Sequence, residues 1–411
     1  MTALKNILIA ILVLSLLTFV VLFGQLPALR RTPIGWLQRL LCLRLPNGLR
    51  KVDRRLTDGR LTAGSTRFAT WLFYEKNPVV LILFLFLLTG ASTLFIWNAS
   101  SLLPISLLVP IPLLLALPYW STYATVVSKV DYITAENIDV RLRDYPYDHV
   151  LFHPGISCTT CNRPKPARSK HCGLCGVCVA KCDHHCPWVN NCLGRANYRY
   201  FLLLLLSLGV LQIYGAYLAY YILQPELTYK PRGFMPTKSP YWSDLGLGMV
   251  NAINKGGLSI AGVGLLAAST ALLPLGLLAY HCYLIWAGTT TNESQKWADW
   301  QDDMKDGYAF VASRDQLQMH NRSTKPGDKS TLSNGRRQTT DNPALGYGLD
   351  GMEQVEVVWP VTSDEIIVRT SDGNPPQGQE VLWKQVWNLD GVVNVYDLGG
   401  WQNFVAVLKG R

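Results

Sequence analysis

The 411-residue chain is 49% hydrophobic and only 16% charged, against the roughly 25% charged residues of an average soluble domain. That balance excludes disorder, collagen and coiled coil and argues against an ordinary soluble enzyme. The net charge of +10 would suit a nucleic-acid binder, but up to Trp286 there are 26 Lys and Arg against 11 Asp and Glu, and beyond it 12 against 17. The positive charge lies beside long apolar runs, as in integral membrane proteins, so no nucleic-acid partner is expected.

Five segments meet the length and apolarity of a membrane-spanning helix. The first, residues 4–23, carries Lys5 as its only charge, and with no small-residue cleavage site after it an uncleaved anchor is expected in place of a signal peptide. Residues 24–77 then form a basic cytosolic loop, with Arg30, Arg31, Arg39, Arg44, Arg50, Lys51, Arg54 and Arg55, which places the N-terminus in the lumen. The second and third spans, 78–97 and 102–120, are joined by a few residues around Asn98 and Ser101 and predict a tight hairpin. Pro104, Pro110, Pro112 and Pro118 fall in this region and are tolerated in bilayer helices, where neighbours satisfy the freed carbonyls.

Residues 121–200 return to the cytosol, the fourth span covers 201–223, residues 224–257 form a lumenal loop, and the fifth span covers 258–286. An odd number of spans leaves residues 287–411 as a cytosolic tail. Within it, residues 321–347 are rich in Ser, Thr, Asn, Gly, Pro and Lys and read as a linker. Residues 353–411 recover apolar content, with β-rich runs at Val355, Val357 and Ile366 to Val368, and predict a small module. The expected fold is an α-helical integral membrane protein of about five transmembrane helices, with a small cytosolic cysteine-rich domain and a cytosolic tail containing some β structure.

Eight of the ten cysteines lie in one stretch: Cys158, Cys161, Cys172, Cys175, Cys178, Cys182, Cys186 and Cys192. In a reducing compartment such Cys with nearby His are metal ligands more often than disulfides. Cys158 with Cys161, Cys172 with Cys175, and Cys175 with Cys178 make three CxxC steps, a spacing that brings two thiolates of one turn to one tetrahedral zinc. Two closed sites need eight ligands, and His171, His184 and His185 raise the supply to eleven. A surplus thiol beside a surplus imidazole is the minimum for an activated nucleophile, and the run Asp183, His184, His185, Cys186 offers both, with a carboxylate to fix the imidazole tautomer.

The run Cys158-x2-Cys161-x9-His171-Cys172-x2-Cys175-x2-Cys178-x4-Asp183-His184-His185-Cys186-x5-Cys192-x4-Asn197-x3-Phe201 resembles the signature of the DHHC protein S-acyltransferases, the palmitoyltransferases, over about 156–201. The resemblance implies that Cys158, Cys161, His171 and Cys178 hold one structural zinc, and Cys172, Cys175, His185 and Cys192 a second. It further implies that Cys186 takes the acyl group from palmitoyl-CoA, that His184 draws off its proton and that Asp183 orients His184. Cys182 is left as a buried bystander.

Thr290-Thr291-Asn292-Glu293 reads as a helix capping box, and it also looks like the family's TTxE motif, which implies that Thr291 approaches Asp183. Trp297, Trp300 and Met304 follow at helical spacing and suit either an interfacial helix or a packed face. Near the C-terminus, within 394–408, Asn394-x-Tyr396-Asp397-Leu398-Gly399-x3-Asn403-Phe404 is similar to the family motif NPYxxGxxxNW, with Val395 in place of Pro and Phe404 in place of Trp. The resemblance makes Asn403 and Tyr396 structural, docking the tail on the spans; an unremarkable strand pair is the alternative.

The extra N-terminal span and long tail look like the fungal subgroup named for spore wall formation. That implies an endoplasmic-reticulum membrane enzyme acting on membrane-adjacent cytosolic cysteines of membrane proteins, SNAREs among them, with a Golgi or vacuolar member as the runner-up. A catalytically silent membrane zinc-binding scaffold is the alternative from another class. A sixteen-carbon chain of roughly 20 Å entering near Phe201 would end about thirteen residues deeper at 1.5 Å per residue, which makes Leu211, Tyr214 and Tyr217 candidates for the floor of an acyl cavity.

Overall fold

The computed structural model describes Val20 and residues 32–129, 131–227, 248, 250–323, 365–390 and 392–410. The expected first span, apart from Val20, the expected linker beyond residue 323, most of the loop between the last two spans, and Val355 and Val357 lie outside these residues. The chain forms two compact units, Met1–Asn77 and Pro78–Arg411.

In the first unit, the stretch read as a basic loop carries helices at Pro33–Arg39, Leu45–Thr57 and Arg60–Tyr74. Leu45, Leu49, Val52 and Leu56 recur at helical spacing and are all exposed, opposite a face rich in Arg and Lys. Asp58 and Gly59 both take positive φ, 55° and 82°, and reverse the chain. The Asp53 carboxylate closes that turn, accepting the Thr62 N–H at 2.7 Å together with the Thr57 and Thr62 hydroxyls.

The second unit holds four helices long and apolar enough to cross a membrane among the described residues: Val79–Leu102, Ile105–Val127, Tyr198–Glu226 and Val250–Trp286. Their principal α-helical parts are α1 (Val79–Ala99), α2 (Ile111–Val127), α3 (Tyr198–Leu227) and α4 (Leu272–Trp286). Leu83, Phe86, Leu113, Leu265 and Leu273 point outward and exposed, as a lipid-facing surface requires. The prolines sort by position. Pro104 and Pro110 precede helix starts, Pro112 lies in the first turn of α2, and only Pro118 is internal. Just beyond Pro118, the buried hydroxyls of Ser121, Thr122 and Thr125 donate to carbonyls three or four residues back, so polar side chains enter the span already satisfied.

Helix α3 packs against α2, the segment Val263–Thr270 and α4. Small residues allow the approach: a Cβ on Gly264 would lie 2.3 Å from the Ala219 Cβ, and one on Gly209 would lie 2.4 Å from Leu275. Of the three proposed floor residues on this helix, Tyr217 is 47% exposed and faces outward. Tyr214 donates its hydroxyl to the Leu107 carbonyl at 2.7 Å and packs against the buried cluster that contains Phe95 and Leu218, while Leu211 is half-buried.

Between α2 and α3 the cysteine-rich segment folds as three two-stranded antiparallel hairpins: β1 (Ser157–Cys158) with β2 (Arg163–Pro164), β3 (Lys170–Cys172) with β4 (Val177–Val179), and β5 (His185–Cys186) with β6 (Asn191–Cys192). Asn191 fastens this segment to α2, its amide donating to the Thr125 and Ser128 carbonyls at 2.9 and 2.7 Å.

After α4 comes α5 (Thr291–Lys305). Trp300 and Met304 are buried against Val150, Ala309 and Ile367, so this helix presents a packed face inward. The strand β7 (Ala309–Ser313) pairs on either side with β8 (Glu365–Arg369) and β9 (Lys384–Gln385). The β module of the tail therefore draws one strand from before the linker and two from after it. The end of the chain is a helix, α6 (Gly400–Leu408), docked on α4, where a strand pair had been the alternative.

Candidate active site and metal centres

The three hairpins place eight ligand atoms in two groups. Cys158, Cys161, His171 and Cys178 form one, and Cys172, Cys175, His185 and Cys192 the other, with the atoms of each group within 4.8 Å of one another. In the first, Cys161 Sγ lies 3.3 Å from His171 Nδ1 and 3.9 Å from Cys178 Sγ. In the second, His185 Nδ1 lies 3.7, 3.4 and 3.7 Å from the sulfurs of Cys172, Cys175 and Cys192. Cys192 Sγ is 3.6 Å from Cys175 Sγ.

A tetrahedron with Zn–S bonds of about 2.3 Å has S···S edges of about 3.8 Å. The donor sets match it in chemistry and size, and all ten cysteines are free thiols. Both clusters are therefore able to bind a metal ion, and zinc would supply folding energy there by holding the hairpins together. Tyr132 supports the second cluster, its hydroxyl lying 3.4 Å from Cys175 Sγ and 2.8 Å from Asn191 Oδ1.

His184 and Cys186 flank the second-cluster ligand His185, with Cys186 in β5. His184 Nδ1 lies 2.6 Å from Asp183 Oδ2, which leaves Nε2 as the ring nitrogen for a second partner. Asp183 is 3% exposed and also accepts from Thr291, at 2.8 Å from its N–H and 2.9 Å from its hydroxyl. Burial works against its charge, but the bonds from His184 and Thr291 outweigh it and hold the Asp183 carboxyl below the usual range. For His184, burial likewise disfavours the charged form. The Asp183 and Cys186 partners more than offset this and raise the imidazole to about 9.

Thr290 caps α5 as the motif predicts. Its hydroxyl accepts the Glu293 N–H at 3.2 Å, and Glu293 Oε2 accepts the Thr290 N–H at 2.9 Å. Glu293 has a second partner, since Arg168 from the cysteine-rich segment donates to both of its carboxylate oxygens at 2.7 and 2.6 Å. Arg168 also donates to the Gly288 carbonyl at 3.0 Å and lies 4.5 Å from the centroid of the Tyr396 ring. Tyr396 donates its hydroxyl to the Pro146 carbonyl at 2.9 Å. Asn403 donates to the Trp286 carbonyl at 3.2 Å at the end of α4 and to Asp397 at 2.7 Å. Cys182 is buried beside Val179 and Cys192 and belongs to neither ligand group.

Three residues of this site carry no motif in the sequence: Arg168, Tyr198 and His281. His281, on α4, stacks on His184 with centroids 5.8 Å apart and planes 15° apart. Its one mark in the sequence is a lone histidine in an apolar run, which a reading of the sequence alone passes over.

A profile of the DHHC palmitoyltransferase family matches residues 152–298. Over 99% of this chain and 97% of its own length, the palmitoyltransferase swf1 of Emericella nidulans is 39% identical. The palmitoyltransferase SWF1 of Neurospora crassa is 37% identical over 97% of this chain and 90% of its own. That of Schizosaccharomyces pombe is 38% identical over 69% and 78%.

Proposed function

This chain belongs to the DHHC palmitoyltransferases and is a protein-cysteine S-palmitoyltransferase of membrane proteins with palmitoyl-CoA as donor, and from that premise we propose that Cys186 is its nucleophile, His184 its base and Asp183 the residue that orients His184. The observation that carries this assignment is the hydrogen-bonded series from Thr291 through Asp183 to His184, two residues before the buried Cys186. His184 takes the thiol proton, Cys186 attacks the thioester carbon, and CoA leaves with that proton. A cysteine of the target protein then removes the acyl group from Cys186. Cys158, Cys161, His171 and Cys178, with Cys172, Cys175, His185 and Cys192, are the structural zinc ligands and take no part in these steps. Thr290, Thr291 and Glu293 support the relay through α5, and Asn403 and Tyr396 dock the tail.

The test is acyl labelling of purified protein with palmitoyl-CoA. Cys186→Ser is expected to abolish hydroxylamine-sensitive label at unchanged zinc content; label at the native rate would remove Cys186 from this role.

For substrates and place, we propose cytosolic, membrane-adjacent cysteines of SNAREs, acted on at the endoplasmic-reticulum membrane with the active site facing the cytosol. The subgroup resemblance in the sequence supports this reading. Comparing acylated proteins of null and wild-type cells is expected to show SNARE cysteines losing label. Loss confined to Golgi or vacuolar proteins would overturn it.

A further inference from the structure

Among the described residues, His281 is the one histidine within a membrane span. Its side chain is 1% exposed, and besides stacking on His184 its ring meets that of Phe201 edge-on at 5.3 Å. Phe201 in turn packs in the apolar cluster that contains Cys186. His281 Nδ1 lies 2.7 Å from the Tyr198 hydroxyl, while Nε2 is buried with no hydrogen-bond partner among the described residues.

The tautomer follows from counting protons. Tyr198 is buried and has a single hydroxyl proton, and His281 Nδ1 is the hydrogen-bond partner the structure gives it, so the proton is satisfied only if Nδ1 accepts. With that proton directed at Nδ1, a neutral His281 carries its own proton on Nε2. A buried N–H without an acceptor is costly, and such a group is an exception that calls for an explanation. Asn292 Nδ2 is also buried and unpartnered, but it is His281 that packs on His184.

The reaction creates the missing acceptor. As the Cys186 sulfur bonds to the thioester carbon, the π pair of the carbonyl moves onto its oxygen. When the carbonyl re-forms, the bond from carbon to the CoA sulfur breaks, and that sulfur takes the proton His184 had removed from Cys186. Between these two events the oxygen bears a negative charge beside the buried Cys186 sulfur, where a fixed donor stabilises it.

We propose that His281 is a catalytic residue of the acylation step, its Nε2–H donating to the thioester oxygen as charge develops there, with Tyr198 locking the tautomer that makes the donation possible. This rests on the assignment of Cys186 as nucleophile.

The experiment compares two reactions of Cys186 in the purified full chain. Self-acylation by palmitoyl-CoA passes through the charged oxygen; alkylation by iodoacetamide, followed at Cys186 by peptide mass spectrometry, displaces iodide from carbon and does not. His281→Leu removes the donor at similar size and is expected to slow single-turnover acylation about 100-fold, with KM for palmitoyl-CoA and the alkylation rate near native. His281→Gln restores an N–H and is expected to recover much of the loss. Tyr198→Phe, which releases the tautomer, is expected to fall between the two.

Native acylation in His281→Leu would overturn the proposal, as would a parallel fall of acylation and alkylation, which would mean that His281 acts only through His184. Loss of acylation in Asn292→Ala with none in His281→Leu would overturn it in favour of Asn292. Persistent label in Cys186→Ala is a separate failure, that of the nucleophile assignment itself.

Discussion

Asp183 is the residue on which the site converges: one carboxylate receives His184 and both donors of Thr291. Because it raises the His184 imidazole to about 9, the imidazolium beside Cys186 persists through neutral pH and is lost as pH climbs past that value. Asp183→Asn removes the main opposition to burial, so the alkaline limb of the self-acylation profile is expected to move from near 9 toward the ordinary imidazole value of about 6.5. The rate at pH 7.5 should fall by about 100-fold or more; an alkaline limb that stays near 9 would contradict this role for Asp183. At this scale the sequence was informative where chemistry is contiguous. Asp183, His184 and Cys186 sit in one run of four, and Thr291 stands in a recognisable motif. His281 and Tyr198 meet across 83 positions and Arg168 and Glu293 across 125, and no local spacing encodes such pairs.

Among elements, the connection between α5, the cysteine-rich segment and Tyr396 of the tail passes through Arg168. Its partner Glu293 is 1% exposed and also closes the capping box that presents Thr291 to Asp183. Removing one member of a buried pair leaves the other charge unpaired, at a cost of about 3–5 kcal/mol. Arg168→Ala is therefore expected to lower the unfolding midpoint of the detergent-solubilised protein and to slow self-acylation, although it lies outside the Asp183–His184–Cys186 relay. Unchanged stability would disprove the coupling. On α3, the outward-facing Tyr217 should tolerate Tyr217→Ala with no change in preference among fourteen-, sixteen- and eighteen-carbon CoA thioesters, whereas Leu211→Ala is expected to admit longer chains. A shift at Tyr217 alone would reverse that reading. The helical character of α6 and the pairing of β7 with β8 escaped the sequence for one reason: each depends on a surface supplied from far away, the end of α4 for the helix and a strand beyond the linker for the sheet.

For the whole molecule, membrane class and the spans from Val79 to Trp286 were readable because apolarity over some twenty residues is a strong signal. Six thiols and two imidazoles in two matched clusters lead to two zinc ions per chain by elemental analysis of active protein. One zinc or none in active protein would refute that count. Cys161→Ala and Cys175→Ala are each expected to cost both metal and fold, though neither residue belongs to the acylation relay. The two ligand sets also interleave, since Cys172 and Cys175 of the second lie inside the loop that the first closes between Cys158 and Cys178. Filling either centre shortens the free chain the other must still gather, and the entropy of that closure is spent once for both. Metal uptake by the stripped protein should therefore be steep, with the second ion binding more tightly than the first. A cell short of zinc would hold a mixture of fully loaded and empty enzyme with few half-loaded chains, and its acylation capacity would drop over a narrow range of free metal.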